Sequence, residues 1–240
     1  MVIATLRSIA TYVAVSLYVL VAAPAGMALA LLFRWKNVLY LLGHGGVGLG
    51  IWLSGIKVRV TGREHVPLGR GVVFCCNHQS NVDPPVLFHT LHRQTHVLYK
   101  AELNALPLLA RAFRMGGFIP VDRRNKEAAM RSIEAGAASI RSGNSFLIFP
   151  EGTRSKTAEL LPFKKGGFIM AIKARAPIIP VAIHGGNHAM EKGSKVILPV
   201  TVHIRIGEPI ETAGFALTDR DAVIAKVRAR IEELLALGPV

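Results

Sequence analysis

Seven consecutive residues, Asn77-His-Gln-Ser-Asn-Val-Asp83, set an imidazole and a carboxylate five positions apart. On a continuous helix those positions fall on different faces. In a loop the Asp83 carboxylate can fold back onto one ring nitrogen of His78, which fixes the tautomer and leaves the other nitrogen basic. That pair is the minimum equipment for taking a proton from a hydroxyl. The competing reading is an Asx-rich turn in which both side chains merely satisfy backbone groups. Two further polar groupings follow, Asp122-Arg-Arg124 and Pro150-Glu-Gly-Thr-Arg-Ser155. The guanidinium forks of Arg123 and Arg154 suit phosphate. Gly152 lets the backbone approach an anion, and Thr153 adds a hydroxyl donor. Glu151 either holds an arginine or binds a substrate hydroxyl. Taken singly, Arg123, Glu151 and Arg154 read more readily as a solvated surface salt-bridge set, since most such charges are solvated.

The elements that must position these groups are legible as alternating patterns. Uncharged runs at 72–76, 145–149 and 178–183 have the character of buried strands. Shorter strand signals lie at 57–60, 96–99 and 116–121, and 196–198 with 202–206 reads as a β pair. A helix is expected from Pro84 to residue 92, with Asp83 as its N-cap and proline at its first position. Helical spacing recurs at 103–115 and 164–173. Residues 125–141 form an amphipathic helix with Ala129, Met130, Ile133, Ala137 and Ile140 on one side, closed by Gly143. Thr218 with Asp221 resembles a capping box for a last helix carrying Val223, Val227, Ile231 and Leu234. Strands alternating with helices imply an α/β layer fold. In open α/β sheets ligands collect beyond the carboxyl ends of strands, so the three polar loops are expected to gather there.

Composition narrows the partners. Lys and Arg number 29 against 15 Asp and Glu, a net charge of +14, which points to a membrane surface, a phosphorylated substrate or nucleic acid. Nucleic acid is disfavoured, since no recognition motif or stacking aromatic set is present. The only cysteines, Cys75 and Cys76, are neighbours on a strand, face opposite ways and cannot pair, so a reducing, cytoplasmic domain is expected. A Cys76–His78 nucleophile pair is the lesser reading beside inert packing. His184 and His188 lack a third ligand at useful spacing, so no metal is expected. Absence of a Gly-x-Ser-x-Gly elbow disfavours a serine hydrolase.

Residues 8–33 carry no charge over 26 positions, more than the ~20 a bilayer-crossing helix needs. Arg7 precedes the run, Arg34 and Lys36 follow it, and Pro24-Ala-Gly26 interrupts it. A second run, 38–56, is uncharged and rich in glycine. One span followed by a core or interfacial helix, a hairpin in one leaflet, and a secretory signal compete; the signal is disfavoured because the apolar run continues past the small-residue site and the domain lacks secreted character. Basic residues on both flanks suit a hairpin whose ends return to the cytoplasmic face. Trp35 and Trp52 read as interfacial anchors. Residues 1–56 are thus expected to be membrane-associated helices and 57–240 the catalytic domain.

The polar groupings also resemble a family. Asn77-His-Gln-Ser-Asn-Val-Asp83 looks like the H-x4-D block of glycerolipid acyltransferases of the 1-acyl-sn-glycerol-3-phosphate type. Gly117-Phe-Ile-Pro-Val-Asp-Arg123, Phe149-Pro-Glu-Gly-Thr-Arg-Ser155 and Ile178-Ile-Pro-Val-Ala-Ile183 resemble their second, third and fourth blocks, in the family's order. Lys164-Lys-Gly-Gly167 and Gly207-Glu-Pro-Ile210 fit the pattern, so the resemblance spans 57–212. It implies an αβ domain with a central mixed sheet flanked by helices, preceded by an N-terminal hydrophobic membrane segment. It further implies acyl transfer to lysophosphatidic acid from acyl-CoA or acyl-carrier protein, with no other cofactor. His78 and Asp83 would be catalytic, and Arg123, Glu151, Gly152, Thr153, Arg154 and, less directly, Lys100 would hold the acceptor's phosphate. Backbone N–H groups beside the start of the Asp83 helix are the candidate oxyanion donors. Another lysolipid or an acylated amino acid as acceptor, and a non-catalytic protein binding anionic lipid, are the alternatives.

Overall fold

The computed structural model describes residues 2–35, 37–91, 95–122, 124–155 and 159–240. Among them run seven strands, β1 (Lys57–Thr61), β2 (Val73–Cys76), β3 (Thr95–Lys100), β4 (Ile119–Val121), β5 (Ser145–Ile148), β6 (Ile178–His184) and β7 (Thr201–Ile206). They form one sheet in the order β1-β7-β6-β2-β5-β3-β4. Only β6 and β7 are antiparallel; the other neighbours are parallel, so the sheet is mixed. The helices are α1 (Val2–Leu32), α2 (Val38–Ser54), α3 (Asp83–Thr90), α4 (Pro107–Met115), α5 (Lys126–Arg141), α6 (Gly166–Ala174), α7 (Gly186–Ala189) and α8 (Arg220–Ala236).

The period-2 geometry of β2 divides the core. Phe74 and Cys76 pack with Val86 and Leu87 of α3 on one face. Val73 and Cys75 pack with α5, α6 and α8 on the other, through residues such as Ala137, Phe168, Met170, Val227 and Ile231. The adjacent cysteines are therefore free, buried and on opposite sides, and burial pushes both thiols well above their ordinary pKa.

Several boundaries differ from the sequence pattern, each for a local reason. Pro107 splits the segment 103–115 into a 3-10 turn at Ala101–Ala105 and α4. Residues 196–198 form no strand, because the sheet edge beside β7 is taken by β1. α5 buries Gly136, Ala137 and Ile140, while Met130 is exposed. Asn125 caps α5, accepting from the Ala128 N–H at 2.8 Å. Ahead of α8 it is Asp219, accepting from the Ala216 N–H, and not Thr218 with Asp221, that closes the turn. α6 begins at Gly166, two residues later than expected. The expected end of α3 at His92 lies outside the described residues.

α1 runs unbroken through Pro24 and is long and apolar enough to cross a membrane, with 6% of its most apolar window buried. α2 packs antiparallel to it, and glycines of α2 seat side chains of α1: a Cβ at Gly46 would meet the Tyr18 ring at 2.7 Å. The pair also docks on the sheet domain. Ser8 Oγ accepts from the Ile197 N–H at 2.8 Å, and Tyr12 OH donates to the Lys195 carbonyl at 2.9 Å. Tyr40 and His44 of α2 contact Phe88 and His89 of α3.

Candidate active site

β2, β5, β3 and β4 run parallel, so the loops leaving them emerge at one end of the sheet. The loop after β2 brings His78 Nδ1 to 2.9 Å from Asp83 Oδ2. The same oxygen accepts the N–H groups of Gln79 and Ser80, each at 2.7 Å. Three donors thus converge on one carboxylate oxygen, whose residue is fully buried, while the His78 side chain keeps 15% of its surface. The pairing expected from the spacing is present; the N-cap role is not. Asp83 is itself the first residue of α3, the Pro84 and Pro85 that follow have no N–H to cap, and the Val86 N–H is bonded to the Val82 carbonyl. Asp83 is therefore free to turn backward along the chain.

Other residues fix the loop in place. Asn77 clasps β6 with both ends of its amide, donating to the Ile183 carbonyl at 3.0 Å and accepting its N–H at 2.8 Å. Ser80 Oγ donates to the Met190 carbonyl. Phe149 stacks on the imidazole with ring centroids 4.2 Å apart. The Ser155 N–H donates to the His78 carbonyl. Among the described residues His78 Nε2 has no hydrogen-bond partner, and the ring lines a cavity of about 600 Å³.

That cavity is walled by apolar residues of α1, α2, α3 and α4, including Val15, Tyr18, Leu39, Phe88 and Phe113, and its polar end holds His78, Asn81, Lys100, Gly152, Thr153 and Arg154. An imidazole–carboxylate pair and two cations therefore meet the head of a space shaped for a hydrocarbon chain. Arg154 Nη1 is buried with no partner among the described residues, an open donor in a cationic group. Gly152 adopts φ +68°, and the aliphatic stem and ammonium of Lys164 lie where its Cβ would be, adding a cation the sequence pattern did not assign.

Glu151 stands apart from this set. It is buried, and its two oxygens accept the N–H groups of His78 at 2.8 Å and Leu161 at 2.9 Å. Burial raises its pKa, and those two hydrogen bonds partly offset the shift. It braces the His78 backbone, and among the described residues it forms no ion pair with an arginine and presents no exposed face for a hydroxyl. Most of the expected oxyanion donors are engaged, and Asn81, exposed on the cavity wall, is the residue of this loop whose N–H has no hydrogen bond among the described residues. The N–H groups of Gln79, Ser80, Val82, Asp83 and Val86 are all bonded, and residues 84 and 85 are prolines. Arg123 lies outside the described residues. His184 is partly buried with its pKa lowered by desolvation, and no cluster of His, Cys, Asp or Glu suited to a metal occurs among the described residues.

Residues 57–184 match the sequence profile of the family described as Acyltransferase. The chain belongs to that family. The 1-acyl-sn-glycerol-3-phosphate acyltransferase of Limnanthes douglasii is 30% identical over 221 residues, covering 90% of this chain and 78% of that protein. The enzyme of the same name from Borreliella burgdorferi is 29% identical over 189 residues, 79% of this chain and 76% of its own. A crystal structure titled as the 1-acyl-sn-glycerophosphate (LPA) acyltransferase, PlsC, from Thermotoga maritima shares the fold, with a TM-score of 0.80 over 97% of each chain at 24% identity. The matched segment of this acyltransferase runs from β1 to the end of β6 and so contains the His78–Asp83 pair, the Phe149–Ser155 loop and the Asn77 clasp between β2 and β6.

Proposed function

We propose that the enzyme transfers an acyl group from a thioester to the free hydroxyl of 1-acyl-sn-glycerol-3-phosphate, forming phosphatidic acid. The observation that carries this is the His78–Asp83 pair in a largely apolar cavity that is also lined by Arg154, whose Nη1 has no partner among the described residues. The names of the relatives point to the same acceptor.

In this scheme Nε2 takes the hydroxyl proton as the oxygen attacks the thioester carbonyl. Asp83 holds the ring and stabilises the imidazolium, and the collapsing tetrahedral adduct expels the thiolate, which takes the proton back from His78. A positioned base of this kind is worth about 10²–10⁴ in rate. Arg154, Lys100 and, by its place in the second block, Arg123 hold the phosphate, and that grip aligns the hydroxyl with Nε2. Gly152 and Thr153 form the wall against which the phosphate sits, and Glu151 keeps the His78 backbone in register. The net charge of +14 favours an anionic donor carrier, acyl-CoA or acyl-carrier protein. α1 and α2 bury in the membrane, with the catalytic domain on the cytoplasmic face.

The test is a product assay by mass with the purified protein, offering lysophosphatidic acid and competing lysolipids with each donor. Phosphatidic acid is the expected product, and His78→Ala is expected to lower turnover by about 10²–10⁴ while leaving acceptor binding intact. Preference for a phosphate-free acceptor would reject the clamp, and undiminished activity of the variant would reject the base.

A further inference from the structure

α4 turns Leu109, Ala112 and Phe113 to the cavity and packs against α1. The chain just before it is left open to solvent. Leu103 and Leu106 are 39% and 55% exposed, and Pro107 is exposed beside them. Arg111 and Arg114 are exposed one turn apart on α4, and neither guanidinium makes an ion pair or hydrogen bond among the described residues. On the adjoining helix, Val13 and Leu17 of α1 are 52% and 58% exposed. Large apolar side chains beside unpaired cations, continuous with a bare apolar helix, are the pattern of an interfacial surface.

We propose that residues 103–107 form a lip that dips into an anionic bilayer beside α1, with Arg111 and Arg114 on lipid phosphates. Charge complementarity selects this partner, since each arginine near an anionic surface is attracted to it while the leucines enter the acyl layer. Leu103 lines the cavity as well as the lip. The lip therefore sets the cavity mouth within the lipid, so an amphiphilic acceptor can enter tail-first without crossing water. This inference rests on the membrane reading of α1, and its test separates the two.

The full-length chain carries an environment-sensitive fluorophore on Leu106→Cys, on Val13→Cys of α1, or on Leu68→Cys. Leu68 is exposed in the loop before β2, at the opposite end of the sheet from His78. Cys75 and Cys76 are buried, and the unsubstituted protein controls for their labelling. In nanodiscs of mixed anionic and zwitterionic phospholipid with a lipid-borne quencher, position 106 is expected to be blue-shifted and quenched like position 13, and position 68 neither. Arg111→Gln with Arg114→Gln is expected to reduce quenching at 106 to its level in purely zwitterionic discs. An unquenched 106 with a quenched 13 overturns the lip alone, and both unquenched overturns the membrane reading with it. A blue shift at 106 that grows with protein concentration and ignores the quencher assigns the lip to a second copy of the chain, which also overturns the proposal.

Discussion

Gly186 admits a hydrogen and nothing larger. It opens α7 with a helical backbone that any residue adopts, yet a Cβ there would overlap Asp83 Oδ1 and press on Ser80 at 3.4 Å. Asp83 has nowhere to go, since its other oxygen is held by three donors. Gly186→Ala should therefore displace the carboxylate that orients His78. Misplacement on the scale of 1 Å is expected to lower kcat by about 10²-fold, with KM little changed, because the proposed phosphate clamp lies on other loops. Initial rates against acceptor concentration check this, and a rise in KM at constant kcat would contradict it. Within the site, the His78–Asp83 contact was legible because it is local, five residues of one loop. Glu151 was not, since its role depends on a bond to His78 across 73 residues, and neither was Asn77, whose partner is 106 residues away. Gly186 carried no signal beyond a Gly-Gly pair after a strand.

At the level of elements, hydrophobic period was a good guide to the buried strands and to α5, while caps and breaks followed from single side-chain bonds that pattern does not carry. The glycines of α2 are a case in which composition had a packing meaning. Gly46→Leu should wedge α1 from α2 through Tyr18, and overpacking of this kind costs about 1–3 kcal/mol. A lower Tm in detergent, with activity lost as the cavity wall moves, is the expected outcome. β3 gives a pH dependence. His96 is buried against Phe118 and Phe146, and burial lowers its pKa, as it does for His184 at the end of β6. The folded chain then binds fewer protons than the unfolded one, whose imidazoles titrate near about 6.5. Stability from these residues is complete above that value and is lost as pH falls through it. Tm should drop between about pH 7.5 and 5.5, and less steeply in His96→Phe. The raised Glu151 carboxyl acts with the opposite sign, from its ordinary value of 4.5 upward, so the comparison with His96→Phe isolates the imidazole's share. A Tm that rises on acidification over that range would reject the assignment.

Across the whole molecule, the sequence left three membrane arrangements open because an uncharged run specifies length and not direction. The packing of α2 narrows them. Near its start Tyr40 and His44 touch Phe88 and His89 of α3, and just past its end a Cβ at Gly55 would meet Pro199 at 3.0 Å. These contacts are about 22 Å apart along the helix, at 1.5 Å per residue, and both are with the same αβ domain. A hairpin standing across the bilayer would carry one of those contacts through the hydrocarbon core to the far side, along with a charged domain. We therefore expect the hairpin to lie along the domain, with both its ends near one interface. In that arrangement Arg34, between the helices, would share a headgroup layer with Arg7, an expectation that suits basic residues on both flanks. In sealed, oriented membrane vesicles, Ile3→Cys and Trp35→Cys should react with an impermeant maleimide from the same side, the side on which the αβ domain is cleaved by added protease. Labelling of the two positions from opposite sides would show α1 spanning the bilayer and would break the link between the α2 contacts and the position of the catalytic domain.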